Sequence, residues 1–150
     1  MEKIAIGCDH GALDLKNFLR DSLVKEGYEV IDCGTYTTDS CHYPAFAFAT
    51  AEKVASGEAD YGIVCCRSGE GVSICANKVK GIRCGIGYND AVSHLMKEHN
   101  NANMIAFGAD YTSKEEALNR VHLFLKAEFL KGRHQIRVDM IKAYEDEHQK

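Results

Sequence analysis

Short β-branched apolar runs alternate with amphipathic helical spacing from one end of this chain to the other, and that alternation limits its fold more than any other feature. Lys3 to Cys8 (KIAIGC) reads as a buried strand. From Leu13 to Lys25 the residues Leu15, Phe18, Leu19 and Leu23 recur at helical spacing with charges between them, and Gly27 supplies the stop. Tyr28 to Asp32 predicts a second strand, and a polar loop, Gly34 to His42, leads to a helix opened by Tyr43-Pro44 and running to about Ser56. A third strand, Gly62 to Cys65, breaks into a glycine loop before helical spacing resumes from Val72 to Val79. Gly81 to Gly87 predicts a fourth strand, Asn89 the cap of a helix through Glu98, and Asn103 to Phe107 a fifth strand. Ser113 and Glu116 form a capping-box signature for a helix bearing Ala117, Val121, Phe124 and Leu125. A last helix begins near Arg133, with Val138, Ile141 and Tyr144 on one side.

This order implies an α/β fold: a five-stranded parallel sheet covered by helices on both faces, a three-layer αβα sandwich, with the C-terminal helix added. In such sheets ligands bind beyond the carboxyl ends of the strands, where strand order reverses. With the expected order 2-1-3-4-5, that point lies between the first and third strands. Asp9 and His10 are therefore expected to face the loop Cys66 to Gly71.

The 150 residues suit a single domain, 1–150, able to bury a core without disulfides or metal. A net charge of −4 argues against general nucleic-acid binding and against an electrostatic membrane anchor. No apolar run reaches the length of a membrane span, and MEKIAIGCDH opens on a strand rather than a signal peptide, so a cytoplasmic protein is expected. The seven cysteines are odd in number and include no CxxC pair, which fits neither a disulfide framework nor a zinc ribbon. Adjacent strand residues point to opposite faces, which disfavours a redox pair at Cys65-Cys66. His42, His94, His122 and His148 form no metal-ligand spacing, and no metal is expected.

Candidate chemistry centres on Tyr61 to Lys78 (YGIVCCRSGEGVSICANK). A glycine loop at a helix start offers unpaired N–H groups to an oxyanion or phosphate, though this one is neither a P-loop nor a GxGxxG site. Cys66 sits at its rim, where the helix dipole and Arg67 favour a thiolate; the competing reading, a buried inert thiol, accounts for Cys8, Cys33, Cys75 and Cys84. Ser68 reads as a hydroxyl for a substrate oxygen or as a helix cap. Asp9 and His10 read as proton-handling or phosphate-holding groups, or as loop caps. The polar run Glu98 to Asn103 is costly before a strand unless solvated or used, and a helix C-terminus favours protonated His99. Arg133 and Arg137, four apart at a helix start, share a face on which a dianionic phosphate fits, or form a solvated surface.

KIAIGCDHGA, YEVIDCGTY, HYPAFA, SGEADYGIVCCRSGEGVSICANKVKGIRC, KEHNNAN and GRHQIRVDMI follow the order and spacing of the type B ribose-5-phosphate isomerase family, which includes the galactose-6-phosphate isomerase subunits. The chain resembles that family from Lys3 to about Ile141. The resemblance implies a Rossmann-like homodimer or dimer of dimers, with its site at the subunit interface and no cofactor or metal. It also implies aldose-ketose isomerisation of a sugar phosphate, foremost ribose 5-phosphate to ribulose 5-phosphate, through a cis-enediolate. It assigns Cys66 as the base between C1 and C2, and Ser68 with the backbone of Gly69, Glu70, Gly71 and Val72 as the enediolate holder. Asp9 handles hydroxyl protons, His99 with Asn100 of the partner chain assists ring opening, and His10, Arg133 and Arg137 bind phosphate. Tyr43 joins the substrate-binding set.

Three departures from the family pattern stand out. Relatives carry Gly-Thr-Gly-hydrophobic-Gly after the cysteine, where this chain has Arg67-Ser68-Gly69-Glu70-Gly71. His42-Tyr43-Pro44 replaces Asp-Tyr-Pro, a form associated with the galactose-6-phosphate branch. Asp110 stands where many relatives have an arginine, and an acid there would repel a dianion. The alternatives are therefore a hexose 6-phosphate of galactose or allose type, or a free sugar with Asp110 and Glu70 binding hydroxyls. Retention of Arg133 and Arg137 favours a phosphate. From another class, a catalytically silent sugar-phosphate binder needs the arginines but not the thiol.

Overall fold

In the computed structural model, which describes residues 2–149, Lys3–Cys8 (β1), Glu29–Asp32 (β2), Tyr61–Cys66 (β3), Cys84–Ile86 (β4) and Met104–Gly108 (β5) form one five-stranded parallel sheet. Leu13–Lys25 (α1), Tyr43–Ala55 (α2), Glu70–Asn77 (α3), Asp90–Asn100 (α4), Lys114–Lys126 (α5) and Arg133–His148 (α6) are helical, and a short 3-10 turn, His10–Ala12, joins β1 to α1. Strand parity sorts the core into two layers. Ile4, Ile6, Ile63, Cys65, Ile105 and Phe107 pack with Leu15, Leu19 and Leu23 of α1 and Val121 and Phe124 of α5. Ala5, Val64, Cys66, Met104 and Ala106 face the other way, onto Ala47, Ala51 and Val54 of α2 and Val72, Cys75 and Ala76 of α3. Cys65 and Cys66 thus belong to opposite layers, as alternation requires.

The strand order is β2-β1-β3-β5-β4, so the outer two strands exchange places relative to the expected 2-1-3-4-5. The reason lies in what each strand can bury. β5 (MIAFG) is buried at every position and pairs on both sides. β4 has only three residues, all half-buried, and suits an edge. Asn77 closes part of that edge: its side-chain amide donates to the Cys84 carbonyl (2.9 Å) and its oxygen accepts the Cys84 N–H (2.8 Å). The exchange leaves the reversal of strand order between β1 and β3 untouched.

Helix ends follow the sequence signals. Asn89 accepts the Val92 N–H at 2.8 Å, and both halves of the Ser113–Glu116 box are made, at 2.9 and 3.1 Å. No helix among the described residues is long and apolar enough to cross a membrane.

One buried ion cluster ties α1 to the end of β2. Lys16 is fully buried, and its ammonium donates to both Asp32 carboxylate oxygens, at 3.0 and 2.7 Å. Arg20 adds a bond at 2.8 Å and the Gly34 N–H another at 2.9 Å. Burial alone would raise the Asp32 carboxyl, but hydrogen bonds from Lys16, Gly34 and Arg20 outweigh it and hold the group below its ordinary value. Asp32→Asn is expected to cost ~3 kcal/mol in urea unfolding, because it leaves Lys16 buried without its counter-charge. Adding Lys16→Met should recover much of that loss. Because the folded pKa is depressed, the wild-type advantage is present above the usual carboxylate range and is lost as pH falls through the folded value, where the two unfolding curves should converge.

Candidate active site

Parallel register sets the carboxyl ends of three strands level: Cys8 pairs with Cys65, and Cys66 with Gly108. Asp9 follows β1 and is nearly buried; its N–H donates to the Cys65 carbonyl at 3.3 Å, and its Oδ1 accepts the Gly11 N–H at 3.0 Å. His10 Nδ1 accepts the Cys41 N–H at 3.2 Å, so in the neutral ring the proton sits on Nε2, free to donate to a ligand. His10, Gly11, Asp110, Thr112 and Lys114 border a cleft of about 260 Å³.

Cys66 is the last residue of β3 rather than the first of the loop. Its sulfur accepts the Gly69 N–H at 3.2 Å, a donor placed to offset negative charge there. Gly69 has φ +82°, a conformation that favours glycine. A Cβ at Gly108 would lie 2.5 Å from the Ser68 carbonyl oxygen, so the loop rests directly on the end of β5. Two backbone bonds fasten it there, Ala109 N–H to Cys66 O (2.9 Å) and Asp110 N–H to Arg67 O (3.0 Å).

Ser68 Oγ accepts the Glu70 N–H at 3.2 Å, while Gly69 occupies the helix cap. The Ser68 hydroxyl proton remains available to a substrate oxygen. The expected cradle from Gly69 to Val72 is thereby narrowed, since the Gly69 and Glu70 N–H groups are used internally. Those of Gly71 and Val72, in the first turn of α3, have no acceptor among the described residues. The Val72 side chain is fully buried in the core and is not offered to a ligand. The Tyr43 ring covers Gly71, where a Cβ would meet Cε1 at 2.5 Å. Glu70 is exposed at the helix start.

Burial pushes the thiols of Cys8 and Cys84 up to about 12 and that of Cys65 well above its ordinary value. It also raises Cys33 and Cys75. These five are protonated packing groups at neutral pH.

His99, Asn100, Arg133 and Arg137 lie at the other end of the sheet. Arg83, just before β4, donates to the carbonyls of Asn100 (3.0 Å) and Asn101 (2.8 Å). The Asn103 side chain bonds Arg83 N–H (2.8 Å) and the Gly81 carbonyl (2.9 Å). Leu130 N–H reaches Glu98 O at 3.0 Å, bringing α6 alongside. The polar run before β5 therefore divides into structural Asn101 and Asn103 and the side chains of His99 and Asn100. The His99 ring stacks on His134 with centroids 4.4 Å apart and planes 11° from parallel. Burial, then His99, Arg133 and Arg137, push the His134 imidazole below its ordinary value. At ~3.3 Å per residue, the five residues of β5 put roughly 16 Å between this cluster and Cys66. Within one chain the two halves of the expected site do not meet.

Three features were beyond the sequence reading: the Cys41 N–H on His10, the seat that Gly108 gives the loop, and an ion pair between Arg67 and Asp110 at 3.8 Å. Gly108 carried a faint signal as the glycine closing a strand; the other two carried none. Asp110, expected to bind substrate hydroxyls in the free-sugar alternative, stands 3.8 Å from Arg67. Among the described residues no three His, Cys, Asp or Glu side chains converge as a metal would need.

A strand-end thiol beside helix N–H groups without an acceptor, with a carboxylate and an imidazole just after the neighbouring strand, is an arrangement that can serve proton transfer next to an oxyanion. The chain belongs to the ribose/galactose isomerase family, which it matches over residues 4–141. It is 43% identical over 145 residues to ribose-5-phosphate isomerase B of Escherichia coli, covering 97% of each chain. Its structure is similar to that of Clostridium thermocellum ribose-5-phosphate isomerase B, with TM-score 0.95, 47% identity and coverage of 97% of this chain and 99% of the other. It is likewise similar to Mycoplasma genitalium ribose-5-phosphate isomerase B with bound ribulose 5-phosphate, with TM-score 0.92, 37% identity and 97% of each chain.

Alkylation of the folded protein at neutral pH, mapped by mass spectrometry, is expected to leave Cys8 and Cys65 unmodified until denaturant is added. Rapid native labelling of Cys65 would contradict the layer assignment.

Proposed function

We propose that the protein interconverts an aldose phosphate and a ketose phosphate, foremost ribose 5-phosphate and ribulose 5-phosphate, by proton transfer through a cis-enediolate. The observation that carries this reading is the Cys66 sulfur, held by the Gly69 N–H at 3.2 Å beside the free N–H groups of Gly71 and Val72. Removing a proton next to a carbonyl needs a positioned base, and the charge that develops on oxygen needs preorganised donors. In this reading Cys66 takes the proton from C2 and returns it to C1, while Asp9 moves the hydroxyl proton from O2 to O1. The Ser68 hydroxyl and the two N–H groups hold the oxygen on which charge accumulates. His10 takes part in phosphate binding. The ribulose 5-phosphate bound by the Mycoplasma genitalium relative supports a pentose phosphate.

Ring opening by His99 with Asn100, and phosphate binding by Arg133 and Arg137, require a second copy of the chain, since these residues sit at the far end of their own sheet. A homodimer, or a dimer of dimers, with two composite sites is part of the proposal. The exposed Ile136, Met140 and Tyr144 of α6 supply apolar area for such an interface. Seven free thiols suit a reducing cytoplasm. A hexose 6-phosphate is the second reading, favoured by His42-Tyr43-Pro44 and by the galactose branch of the family. Pentose and hexose phosphates assayed side by side with their free sugars decide between them.

In heavy water the wild type is expected to wash deuterium into C2 of its substrate, and Cys66→Ala to lose both exchange and isomerisation while keeping its thermal midpoint. Near-normal turnover by that variant would remove the thiol base. For the composite site, Cys66→Ala and the double variant Arg133→Ala/Arg137→Ala, each inactive alone, should regain activity when unfolded and refolded together. No recovery in a mixture that demonstrably forms hybrid oligomers would place the whole site in one chain.

A further inference from the structure

We propose that Arg67 is the cation with which each chain grips the anionic end of the substrate from its own carboxyl edge, and that Asp110 is a positioning residue that aims it. This rests on the sugar-phosphate reading of the same site. Arg67 directly follows Cys66, and its side chain lies across the turn after β1: a Cβ at Gly11 would stand 2.7 Å from Arg67 Cγ, 3.0 Å from Nε and 3.2 Å from Cζ. The guanidinium therefore occupies space that only a glycine leaves open, one residue from His10. On its other side Nη1 stands 3.8 Å from Asp110 Oδ1. The loops after β1, β3 and β5 meet on this one side chain.

Magnitude separates a structural role from a binding one. The two side chains are 64% and 48% exposed, and an exposed pair of this length adds little to stability. The loops that carry them are already joined by the Ala109–Cys66 and Asp110–Arg67 backbone bonds. The ion pair is not what holds the fold; it sets where the guanidinium rests. A guanidinium presents five N–H donors, and a single long contact through Nη1 leaves most of them for phosphate oxygens. Around the adjoining cleft, Asp14 and Asp110 are set against Lys114 and Arg67, with His10 able to donate, so Asp110 does not stand as a lone acid facing the anion. The charges at 67 and 110 that set this chain apart from its family's pattern act as one unit.

The test uses the purified full-length protein, inorganic phosphate titrated by calorimetry, and KM and kcat for ribose 5-phosphate. Arg67→Met is expected to weaken phosphate binding and raise KM by about tenfold or more, with a much smaller change in kcat. Arg67→Lys, which keeps charge and loses the fork, should fall between the two. Asp110→Asn decides by sign: an aiming role weakens phosphate binding, whereas a merely repelling acid would make its removal tighten binding. Asp110→Glu, which keeps the carboxylate, should retain near wild-type affinity. Tighter phosphate binding by Asp110→Asn, or unchanged phosphate affinity and KM in Arg67→Met, overturns the proposal. The calorimetric readout needs no turnover, so a wild type that binds phosphate through Arg67 yet exchanges no proton would overturn the isomerase reading and leave this one standing.

Discussion

A parallel sheet sends every connecting helix back the way the strand came, and this antiparallel return governs everything else in the molecule. The residue that ends a strand and the residue that ends the next helix must lie at opposite edges. Asp9, His10 and Asp110 follow strands, Cys66 ends one, and all four gather at the carboxyl edge. His99 and Asn100 end α4, Arg133 opens α6 beside them, and all are carried to the amino edge. Chemistry that needs both sets cannot be completed by a single copy of this fold. The proposed isologous dimer would resolve the division, because a two-fold axis that brings one amino edge to the partner's carboxyl edge does so twice.

At the carboxyl edge the loop after β3 spends half of its donors on itself. Gly69 N–H goes to the Cys66 sulfur and Glu70 N–H to Ser68 Oγ. The internal bonds fix the sulfur and the hydroxyl, and the N–H groups left over, those of Gly71 and Val72, already point along the helix start before any ligand arrives. Preorganisation of this kind is where an oxyanion site gains most, since no donor has to be reoriented as charge develops. Burial does the complementary work on the other thiols. Cys65, one residue away and on the opposite face, is sealed into the α1/α5 layer, where burial raises its thiol well above the ordinary value, so strand alternation puts two adjacent cysteines into different surroundings.

Much of this was legible in the sequence because it depends on local pattern. β1 and α1 fall where KIAIGC and the Leu15-Leu19-Leu23 spacing put them, and the caps at Asn89 and Ser113 are made as written. That the turn after β1 meets the thiol loop was legible too, since the contact of Gly11 with Arg67 follows from the reversal of strand order between β1 and β3. The order of β4 and β5 was not. GIRCGIG and NMIAF both read as apolar strands, and only packing shows that one stays short and half-exposed while the other is buried throughout. The contacts of Cys41 with His10 and of Arg67 with Asp110 join residues far apart in the chain with no periodicity between them, so no pattern could announce either.

The chain's two notable ion pairs show why a charge pair cannot be given a role from its chemistry alone. Lys16 and Asp32 are 0% and 16% exposed, are joined by two short bonds, and are satisfied further by Arg20 and Gly34. Neither partner can leave without stranding a charge in the interior, so that pair is committed to the fold. Arg67 and Asp110 touch once, at 3.8 Å and largely in water. Their separation costs little, so an arriving phosphate can draw the guanidinium toward itself without disturbing the loops beneath, which their own backbone bonds hold. The same weakness that disqualifies the pair as a stabilising element is what suits it to binding: the cation is kept near the anion's place without being consumed by its anchor.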